Sequence, residues 1–267
     1  MQAGRRVLVT GASSGIGEAV ARLLAEQGYR VALLARRADV LERIRGELPP
    51  TPSGPHRALA CDLVDAAAIE RAVAALAEDF GGLDLLVNNA GVGYRARVEE
   101  LDPATLRSVF DTNVFGLLLM CRAAFPLLRR GARPVVVNIA SVVGRRGIPG
   151  QVGYAASKAA VCSIGEALRI EWADAGIAVC TLNPALTATG FFANQANPAA
   201  LPAPDLADAS PARDVAREVL ALDQRPIPER SLRWKWRLLG VLSVLTPRLA
   251  DRLLVRRLGG DWRAPSR

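Results

Sequence analysis

Three glycines within seven residues follow the first predicted strand, and they constrain the fold more than any other stretch of this sequence. The strand covers residues 6–10 (Arg-Val-Leu-Val-Thr), and residues 11–17 then read Gly-Ala-Ser-Ser-Gly-Ile-Gly. An amphipathic pattern typical of a helix runs over residues 16–27 and stops at Gly28. Glycine lets the backbone turn tightly and lets another group approach it closely. A strand, a glycine turn and a helix in this order are the first unit of a doubly wound α/β fold.

The rest of the chain alternates short β-rich runs with helical patterns. The predicted strands after the first are residues 30–35, 57–60, 83–87, 135–139 and 178–182. The predicted helices after the first are residues 66–80, 103–128, 154–173 and 211–222. This alternation predicts a parallel sheet with helices on both faces, and 267 residues suit one large domain. We therefore expect an α/β protein with a Rossmann-type doubly wound parallel sheet in a single domain.

Tyr154 and Lys158 are four residues apart on a predicted helix, so they lie on one face of it. A phenol has an ordinary pKa of about 10 and exchanges protons poorly at neutral pH. A nearby ammonium favours the phenolate and lowers that pKa, as a general acid or base requires. The chain has two lysines, Lys158 and Lys235, and its other cationic residues are arginines. A lysine in such a chain points to a need for a compact, flexible ammonium.

Further motifs accompany this pair. Residues 88–91 (Asn-Asn-Ala-Gly) follow the fourth predicted strand, Asn113 lies in the long predicted helix, and Ser141 follows the fifth strand. With the glycine turn and Tyr154-x-x-x-Lys158, in this order and spacing, they resemble the short-chain dehydrogenase/reductase family over roughly residues 5–190. The spacing G-x-x-x-G-x-G, rather than G-x-G-x-x-G, is the form this family uses. The resemblance implies a nicotinamide-dependent oxidoreductase that interconverts a carbonyl and an alcohol.

The resemblance also implies a role for each of four catalytic side chains. Ser141 would hold the substrate oxygen, and Tyr154 would protonate it as hydride arrives at the carbon. Lys158 would lower the pKa of Tyr154 and hydrogen-bond the nicotinamide ribose. Asn113 would hold a water that relays protons to the lysine. The predicted catalytic set is therefore Ser141, Tyr154, Lys158 and Asn113.

The same resemblance predicts how the cofactor is held. The glycine turn and the N-terminus of its helix would bind the pyrophosphate. Asp62 would meet the adenine amino group, and it could equally cap the helix at residues 66–80. Asn88 and the backbone of residues 90–91 are the expected direct contacts, with Asn89 partly structural. The predicted cofactor-binding set is Gly11, Ser13, Ser14, Gly15, Ile16, Gly17, Arg36, Arg37, Asp62, Leu63, Asn88, Asn89, Ala90, Gly91, Tyr154, Lys158, Pro184, Leu186 and Thr189.

The nicotinamide end is predicted from residues 184–189, Pro-Ala-Leu-Thr-Ala-Thr, which resemble the family's P-G-x-V-x-T. Alanine replaces the glycine of that pattern and threonine replaces the valine, so we expect the turn to be kept but to be less flexible. Thr189 and the Leu186 backbone would bond the carboxamide.

The residues after the second predicted strand concern the choice between NADP(H) and NAD(H). NAD enzymes usually place a carboxylate here for the adenosine 2′-hydroxyl, and this chain has Ala35 followed by Arg36 and Arg37. An arginine can pair with a 2′-phosphate in charge-assisted geometry. We therefore predict NADP(H) over NAD(H). The alternative is that the two arginines simply open an exposed helix, which applies most to Arg37.

Two segments outside the motifs carry expectations about substrate and partners. The resemblance implies that residues 190–210, rich in alanine and proline, are the lid over the substrate, and their Phe191-Phe192 pair suggests an apolar substrate. The helix at residues 103–128 is more apolar than a solvent-facing helix should be. In the family that the chain resembles, such a helix commonly buries a face in a subunit interface, so we expect a homodimer or homotetramer. We divide the chain into a catalytic region, residues 1–225, and a helical extension, residues 226–267.

The extension contains no clear seventh strand of the family's usual kind. Residues 230–257 combine Trp234, Trp236 and an apolar run at residues 238–245 with basic residues, which is the composition of a basic amphipathic segment. Such a segment could lie on a membrane surface, close the substrate pocket or form a subunit interface. Peripheral membrane contact through residues 230–257 is therefore one expectation.

Composition limits the remaining possibilities. The net charge is +8, almost wholly from arginine, but no nucleic-acid-binding motif accompanies it, so we expect no nucleic-acid partner. The N-terminus lacks a leader pattern and no apolar run is long enough to span a membrane, so we expect a cytoplasmic protein. The cysteines show no C-x-x-C spacing and there is one histidine, His56, in a turn we expect to be solvated. We therefore expect reduced core thiols and no metal site.

Three interpretations of function stay open. The first is a reductase of lipophilic ketones or aldehydes, which the apolar lid favours. The second is a β-ketoacyl-thioester reductase, since the basic surface would suit an acidic carrier protein. The third is a non-catalytic, cofactor-sensing protein on the same fold, which typically loses the Tyr/Lys pair that this chain keeps.

Overall fold

The computed structural model describes residues 4–198, 200–202 and 205–258, and strands alternate with helices along them. The main strands are β1 Arg6–Thr10, β2 Arg30–Ala35, β3 Arg57–Ala60, β4 Leu85–Asn88, β5 Val135–Ile139, β6 Ala178–Asn183, β7 Thr187–Ala188, β8 Ser210–Pro211 and β9 Glu229–Ser231. The α-helices are α1 Gly15–Glu26, α2 Ala38–Glu47, α3 Ala66–Phe80, α4 Pro103–Phe110, α5 Gly116–Leu128, α6 Val152–Glu171, α7 Ala212–Gln224, α8 Trp234–Leu245 and α9 Pro247–Leu258.

Seven strands form one sheet in the order β3-β2-β1-β4-β5-β6-β9, and every pairing in it is parallel. The chain moves outward from β1 on one side and returns through β4 on the other. Ligands of such sheets bind where the strand order reverses, beyond the carboxyl ends of the strands. The predicted fold class is confirmed, and the switch point lies between β1 and β4.

Helices cover both faces of this sheet. Successive side chains of a strand point to opposite faces, and in β1 Val7 and Val9 join one buried cluster while Leu8 joins another. The first cluster contains residues of α1, α2 and α7, and the second contains residues of α3, α5 and α6. Strands that are buried on both faces are apolar throughout, which explains why their sequence runs do not alternate.

The long predicted helix at residues 103–128 is continuous but contains a π turn at Asp111–Phe115 between α4 and α5. Asp102 caps it by accepting a hydrogen bond from Thr105 N–H at 2.8 Å. By length and composition this helix could cross a membrane. Its inner residues, including Leu117 and Met120, instead pack into the core of the sheet, as expected for a central helix of a globular domain.

The expectation that a seventh strand is lacking is wrong, because β9 extends the sheet beyond β6. This strand is three residues long, Glu-Arg-Ser, and carries no apolar pattern that would identify it. Polar side chains hold it in place. Glu229 accepts hydrogen bonds from Asn183 Nδ2 at 2.6 Å and from Arg145 at 2.5 Å.

The expectation of a solvated His56 is also wrong, since this side chain is 6% exposed. Its Nδ1 accepts a hydrogen bond from Val31 N–H at 3.0 Å, so the proton lies on Nε2, which is 2.9 Å from the Pro49 carbonyl oxygen. His56 therefore ties the loop before β3 to the start of β2.

Asp223 on α7 is the buried anchor of the N-terminal strand region. It accepts hydrogen bonds from Arg5 at 2.5 Å and from the Tyr29 hydroxyl at 2.6 Å. We predict that Asp223→Ala lowers the free energy of unfolding by about 3–5 kcal/mol, because it leaves the Arg5 guanidinium buried without its carboxylate. Urea denaturation measures this loss.

The matched control lies on the same helix. Asp214 pairs with Arg217 at 2.5 Å, and both side chains are largely exposed. Asp214→Ala should change the free energy of unfolding by no more than about 1 kcal/mol. Equal losses in the two variants would contradict the buried-anchor assignment.

Candidate active site

In the glycine turn between β1 and α1, the neighbouring backbone leaves no space for side chains at Gly11 and Gly17. Gly11 and Gly15 have positive φ angles of 64° and 59°, a conformation that favours glycine. A Cβ on Gly11 would lie 2.8 Å from Ala90 Cα, and one on Gly17 would lie 2.3 Å from the Gly11 carbonyl oxygen. The backbones of this turn and of the segment after β4 are therefore in direct contact.

The start of α1 offers unused donors beside this turn. Ser14 precedes the helix, and its side chain makes no capping hydrogen bond. The first N–H groups of a helix lack partners within it and attract anions, especially phosphate. The turn and this helix end therefore fit the pyrophosphate of a dinucleotide.

Asn89 fastens the turn to the end of β4. Its Nδ2 donates to the Thr10 carbonyl oxygen at 2.9 Å and to that of Gly11 at 3.3 Å. In return, Thr10 Oγ1 accepts from the backbone N–H groups of Asn89 and Ala90, at 3.0 Å and 3.1 Å. The structural role expected for Asn89 is therefore its main one.

Asn88 does not direct its side chain at the turn. It is 3% exposed, and its Nδ2 donates to Asn138 Oδ1 at 2.9 Å and lies 3.2 Å from Cys121 Sγ. The Nδ2 of Asn88 is thus occupied inside the sheet, while its Oδ1 is buried without a hydrogen-bond partner among the described residues. The predicted contact between Asn88 and the cofactor stays a prediction.

Asn113 lies in the π turn and is 1% exposed. Its Oδ1 accepts from Val92 N–H at 2.8 Å, and its Nδ2 donates to the Val92 carbonyl oxygen and to Ser157 Oγ, both at 3.0 Å. The Ser157 hydroxyl donates in turn to the Tyr154 carbonyl oxygen at 2.7 Å. A π turn inside a helix frequently marks a functional site, and here it links Asn113 to the helix of the predicted Tyr/Lys pair.

Lys158 approaches the same point from α6. Its Nζ donates to the Ile139 carbonyl oxygen at 2.8 Å. A Cβ on Gly91 would lie 3.4 Å from Lys158 Nζ and 3.1 Å from Asn113 Oδ1. Gly91 therefore separates two predicted catalytic groups, and its lack of a side chain lets both approach.

Ser141 follows β5 and faces Tyr154. Ser141 Oγ accepts from Val143 N–H at 3.3 Å, and it forms a hydrogen bond with Tyr154 that favours the phenolate. The Phe191 ring packs against Tyr154 with 5.5 Å between ring centres. The four predicted catalytic residues are thus brought together at the carboxyl ends of the central strands.

Burial sets the protonation states of the pair. The pKa of Tyr154 is raised above its ordinary value by burial, which outweighs the hydrogen bond with Ser141. Burial also lowers the pKa of Lys158 to about 8. The sequence predicts a lowered tyrosine pKa, whereas in this structure the phenol stays protonated at neutral pH. A protonated phenol is the form that can donate a proton to a substrate oxygen.

The predicted adenosine end contains both arginines. Arg36 is largely exposed, and its Nη1 lies 3.9 Å from Asp62 Oδ2. Arg37 donates to Ser13 Oγ at 2.9 Å, so it contacts the glycine turn instead of only opening α2. Asp62 does not cap α3, because Asp65 takes that role by accepting from Ala68 N–H at 3.0 Å.

The predicted nicotinamide segment, residues 184–189, packs against the glycine turn. A Cβ on Gly15 would lie 3.3 Å from Thr189 Cβ, so Thr189 packs directly on the glycine turn. The carbonyl oxygen of Pro184 accepts from Val142 N–H at 3.0 Å, and that of Leu186 accepts from Ser210 N–H at 2.9 Å. The changed P-A-L-T-A-T sequence therefore still forms an ordered connection beside Ser141.

Several residues near the candidate active site belong to none of the sequence motifs. Ser157 bridges Asn113 and Tyr154, and its only signal is a position three residues after Tyr154 on one helix. Trp236 of α8 packs against the small buried cluster of Val142, Val143 and Ala155, against which Tyr154 also packs. Contacts of this kind depend on the path of the C-terminal chain, which the motifs do not describe.

A separate cavity of about 570 Å³ lies beside α6, lined in part by Val143, Ile148 and Ala155. Ser141 and Tyr154 are not among its lining residues, so we do not assign it to the reaction.

The predicted lid, residues 190–210, lies between the two paired strands β7 and β8, and a bridge joins its Ala196 to Tyr94. Residues 199, 203 and 204 of this lid, and 259–267 of the predicted extension, lie outside the described residues.

A family model described as short chain dehydrogenase matches residues 5–199. The chain therefore belongs to the short-chain dehydrogenase/reductase family, and it is an NAD(P)-dependent oxidoreductase that acts on CH–OH groups.

Similar proteins agree on the family but differ in named substrate. D-threitol dehydrogenase of Mycolicibacterium smegmatis is 37% identical over 70% of this chain and 71% of its own length. An uncharacterised oxidoreductase of Mycobacterium tuberculosis is 33% identical over 93% of this chain and 96% of its own.

Two solved structures share the fold. The 3-ketoacyl-(acyl-carrier-protein) reductase from Brucella melitensis, complexed with NADH, has a TM-score of 0.77 at 29% identity and covers 87% of this chain and 98% of its own. An alcohol dehydrogenase from Thermococcus sibiricus, complexed with 5-hydroxy-NADP, has a TM-score of 0.77 at 30% identity and covers 86% and 96%.

The tight glycine turn gives a direct test of the cofactor site. Gly17→Ala would place its methyl group on the Gly11 carbonyl oxygen, so the turn must move. We predict that Gly17→Ala lowers the free energy of unfolding by about 1–3 kcal/mol because of this overpacking. We also expect weaker NADPH binding, measured by fluorescence titration. Gly46→Ala in α2 is the control, because nothing lies within 4 Å of the added Cβ. Unchanged NADPH binding by Gly17→Ala would contradict the assigned site.

Proposed function

We propose that this protein is an NADP(H)-dependent oxidoreductase that interconverts a ketone or aldehyde and an alcohol on an apolar small molecule. The observation that carries the proposal is the convergence of Asn113 Oδ1 and Lys158 Nζ on Gly91, beside the Ser141–Tyr154 pair. A cofactor-sensing protein that performs no chemistry has no need for these side chains together.

Each residue has a defined task in the proposed reaction. Ser141 Oγ holds the substrate oxygen through a hydrogen bond, and the Tyr154 hydroxyl donates its proton to that oxygen. Bound NADP(H) exchanges a hydride with the substrate carbon. The charge of Lys158, 5.9 Å from the centre of the Tyr154 ring, stabilises the phenolate that forms. Asn113 fixes the π turn and positions Ser157 behind the tyrosine.

The proposed preference for NADP(H) rests on charge at the end of β2. Arg36 has its guanidinium mainly in solvent, and Arg37 lies on Ser13 at the glycine turn. A 2′-phosphate bound between them would receive charge-assisted hydrogen bonds. Ala35 ends β2 where an NAD enzyme usually has a carboxylate, so repulsion of that phosphate is absent at this position.

The proposed substrate is apolar because apolar side chains surround Tyr154. Phe191 contacts its ring, and Phe192 stacks edge-on against Phe191 with 5.5 Å between ring centres. Trp236 and Ile148 pack, as Tyr154 does, against the buried cluster of Val142, Val143 and Ala155. A β-ketoacyl thioester remains the second candidate, favoured by the net charge of +8, which would attract an acidic carrier protein.

We also propose that the protein works in the cytoplasm as a homodimer or larger homo-oligomer. The outer side of the central helix carries Phe115 and Leu118, which are 55% and 38% exposed. Apolar side chains of this kind on a long helix suit a subunit interface. The four cysteines are free and buried, which suits a reducing compartment.

Removal of the phenol tests the acid–base role. We predict that Tyr154→Phe lowers kcat by about 10²–10⁴-fold, while NADPH binding is nearly unchanged because the ring and its packing remain. The measurement is NADPH oxidation with a panel of apolar ketones, aldehydes and β-ketoacyl thioesters. Ser163→Ala, on the exposed side of the same helix, is the matched control and should keep full turnover. Turnover retained by Tyr154→Phe would exclude the proposed role.

Charge reversal at Arg36 tests the cofactor preference. We predict that Arg36→Asp lowers the ratio of kcat/KM with NADPH to that with NADH by at least about ten-fold, since a charged hydrogen bond contributes about 1.5–3 kcal/mol. Arg43→Asp gives the same charge change on α2, where Arg43 pairs with Glu47 in solvent. The Arg43 variant should keep the wild-type ratio. If the two variants had the same ratio of kcat/KM with NADPH to that with NADH, Arg36 would not belong to the assigned site.

A further inference from the structure

The C-terminal hairpin, residues 234–258, consists of α8 and α9 joined at Thr246. Thr246 N–H donates to the Leu242 carbonyl oxygen at 2.7 Å, and Leu249 N–H donates to the Thr246 carbonyl oxygen at 3.1 Å. These bonds close one helix and start the next without an intervening loop. The hairpin follows β9, so it is attached directly to the edge of the central sheet.

The exposed hydrophobic residues of α8 are spread along its whole length. Its exposed hydrophobic residues recur at intervals of three and four, which places them on one face of the helix. Their exposed fractions range from 49% for Leu238 to 82% for Val244. The residues of this face are Trp234, Leu238, Val241, Val244 and Leu245. A solvated face of a globular protein normally carries polar side chains here, so this face marks an interaction surface.

The exposed side of α9 adds positive charge to this surface. Arg248, Arg252 and Arg256 recur at intervals of four and form one ridge, and Leu249 and Leu253 form an apolar ridge next to it. All five residues are exposed in the described chain. Apolar and arginine ridges side by side are typical of helices that lie in the surface of a membrane.

Few negative charges counter this ridge. The hairpin sequence has six basic residues and one acidic residue, Asp251. Asp251 pairs with Arg146 of the catalytic region, so its carboxylate is directed inward. A second copy of the same hairpin would bring like charges together, which opposes association. An anionic surface complements the hairpin better than the hairpin complements itself.

The inner side of the hairpin touches the active-site wall. Trp236 packs against the buried cluster of Val142, Val143 and Ala155, and Tyr154 packs against the same cluster. A Cβ on Gly240 would lie 3.5 Å from Arg145 Cβ, so α8 lies close against the segment that follows Ser141. The same helix therefore contacts the catalytic region on one side and solvent on the other.

We propose that the C-terminal hairpin is a membrane-docking surface that binds the anionic phospholipid face of a bilayer. The apolar face of α8, with Trp234 at its start, enters the interface between head groups and acyl chains. The arginine ridge of α9 lies against the lipid phosphates. Docking in this way would bring the candidate active site, through the packing of Trp236, near the membrane surface.

The test is flotation of the full chain with lipid vesicles. Wild-type protein should float with phosphatidylcholine vesicles that contain about one third phosphatidylserine and stay in the soluble fraction with phosphatidylcholine alone. Raising the salt from about 50 mM to about 500 mM should weaken the binding, because salt screens charges at the surface. Wild-type protein that stays soluble with the anionic vesicles at low salt overturns the proposal.

Variants locate the binding surface. The combined change Arg248→Gln, Arg252→Gln and Arg256→Gln should lower the partition coefficient by about a hundred-fold, at about 1 kcal/mol per basic residue. Arg43→Gln, Arg71→Gln and Arg217→Gln remove the same charge from exposed sites elsewhere and should lower it much less. Equal effects of the two sets would mean non-specific attraction to the whole protein and would overturn the proposal.

The apolar face has its own control. Trp234→Gln with Leu238→Gln should also abolish flotation, whereas Val98→Gln with Ile170→Gln, which are 65% and 76% exposed in the wild type, should not. NADPH binding and circular dichroism verify that each variant is folded. Light scattering without lipid tests whether a second copy of the chain covers this face instead. If the wild-type protein forms an oligomer and the Trp234/Leu238 variant does not, the face binds a second copy and the proposal is overturned.

Discussion

The hydrogen bonds between Asn89 and the end of β1 are the constraint on which the site depends. They join β1 and β4 at the point where the strand order reverses, and they hold the carbonyl groups of Thr10 and Gly11 in the turn that precedes α1. The same segment continues into Gly91, which lies between Asn113 and Lys158. One set of contacts therefore fixes both the turn proposed to hold the cofactor and the approach of the proposed catalytic groups. A shift at Asn89 would disturb both at once.

Desolvation then gives these groups their chemical properties. Burial raises the pKa of Tyr154 and lowers that of Lys158 to about 8, so both changes favour the neutral forms. The sequence suggests attraction between an ammonium and a phenolate, but the structure places Lys158 Nζ on the Ile139 carbonyl oxygen. In this structure burial therefore determines the pKa of Tyr154 more than Lys158 does. This arrangement suits a proton donor better than a permanent phenolate.

Most of the fold could be predicted because local patterns and the long-range structure agree. Buried parallel strands need apolar runs, and glycine turns and caps mark their ends, so β2 and β5 lie where the sequence predicts them. The sequence does not reveal β9, because its three residues are held by side-chain hydrogen bonds to residues far away in sequence. It does not reveal the burial of His56 either, since the hydrogen-bond partners of this side chain lie in β2 and in the preceding loop. The pattern around a residue does not reveal such partners.

The candidate site, like the fold, could be predicted from the sequence only in part. The predicted catalytic residues meet because they follow strand ends that the parallel sheet brings to one edge, which is a property of the fold class. The partners of the Asn88 amide could not be predicted, since Asn138 and Cys121 lie on other elements far away in sequence. The π turn at Asn113 also has no sequence signal of its own.

The C-terminal chain is part of the catalytic region and not an appendage to it. Glu229 of β9 accepts from Arg145, which follows Ser141 by four residues, and Arg145 also pairs with Glu166 of α6 at 2.6 Å. A displacement of β9 would therefore be transmitted to both the serine segment and the helix of Tyr154. Trp236 adds an apolar contact from α8 to the same place. Because these contacts fix the hairpin to the candidate site, the proposed docking of the hairpin would also orient that site relative to the membrane.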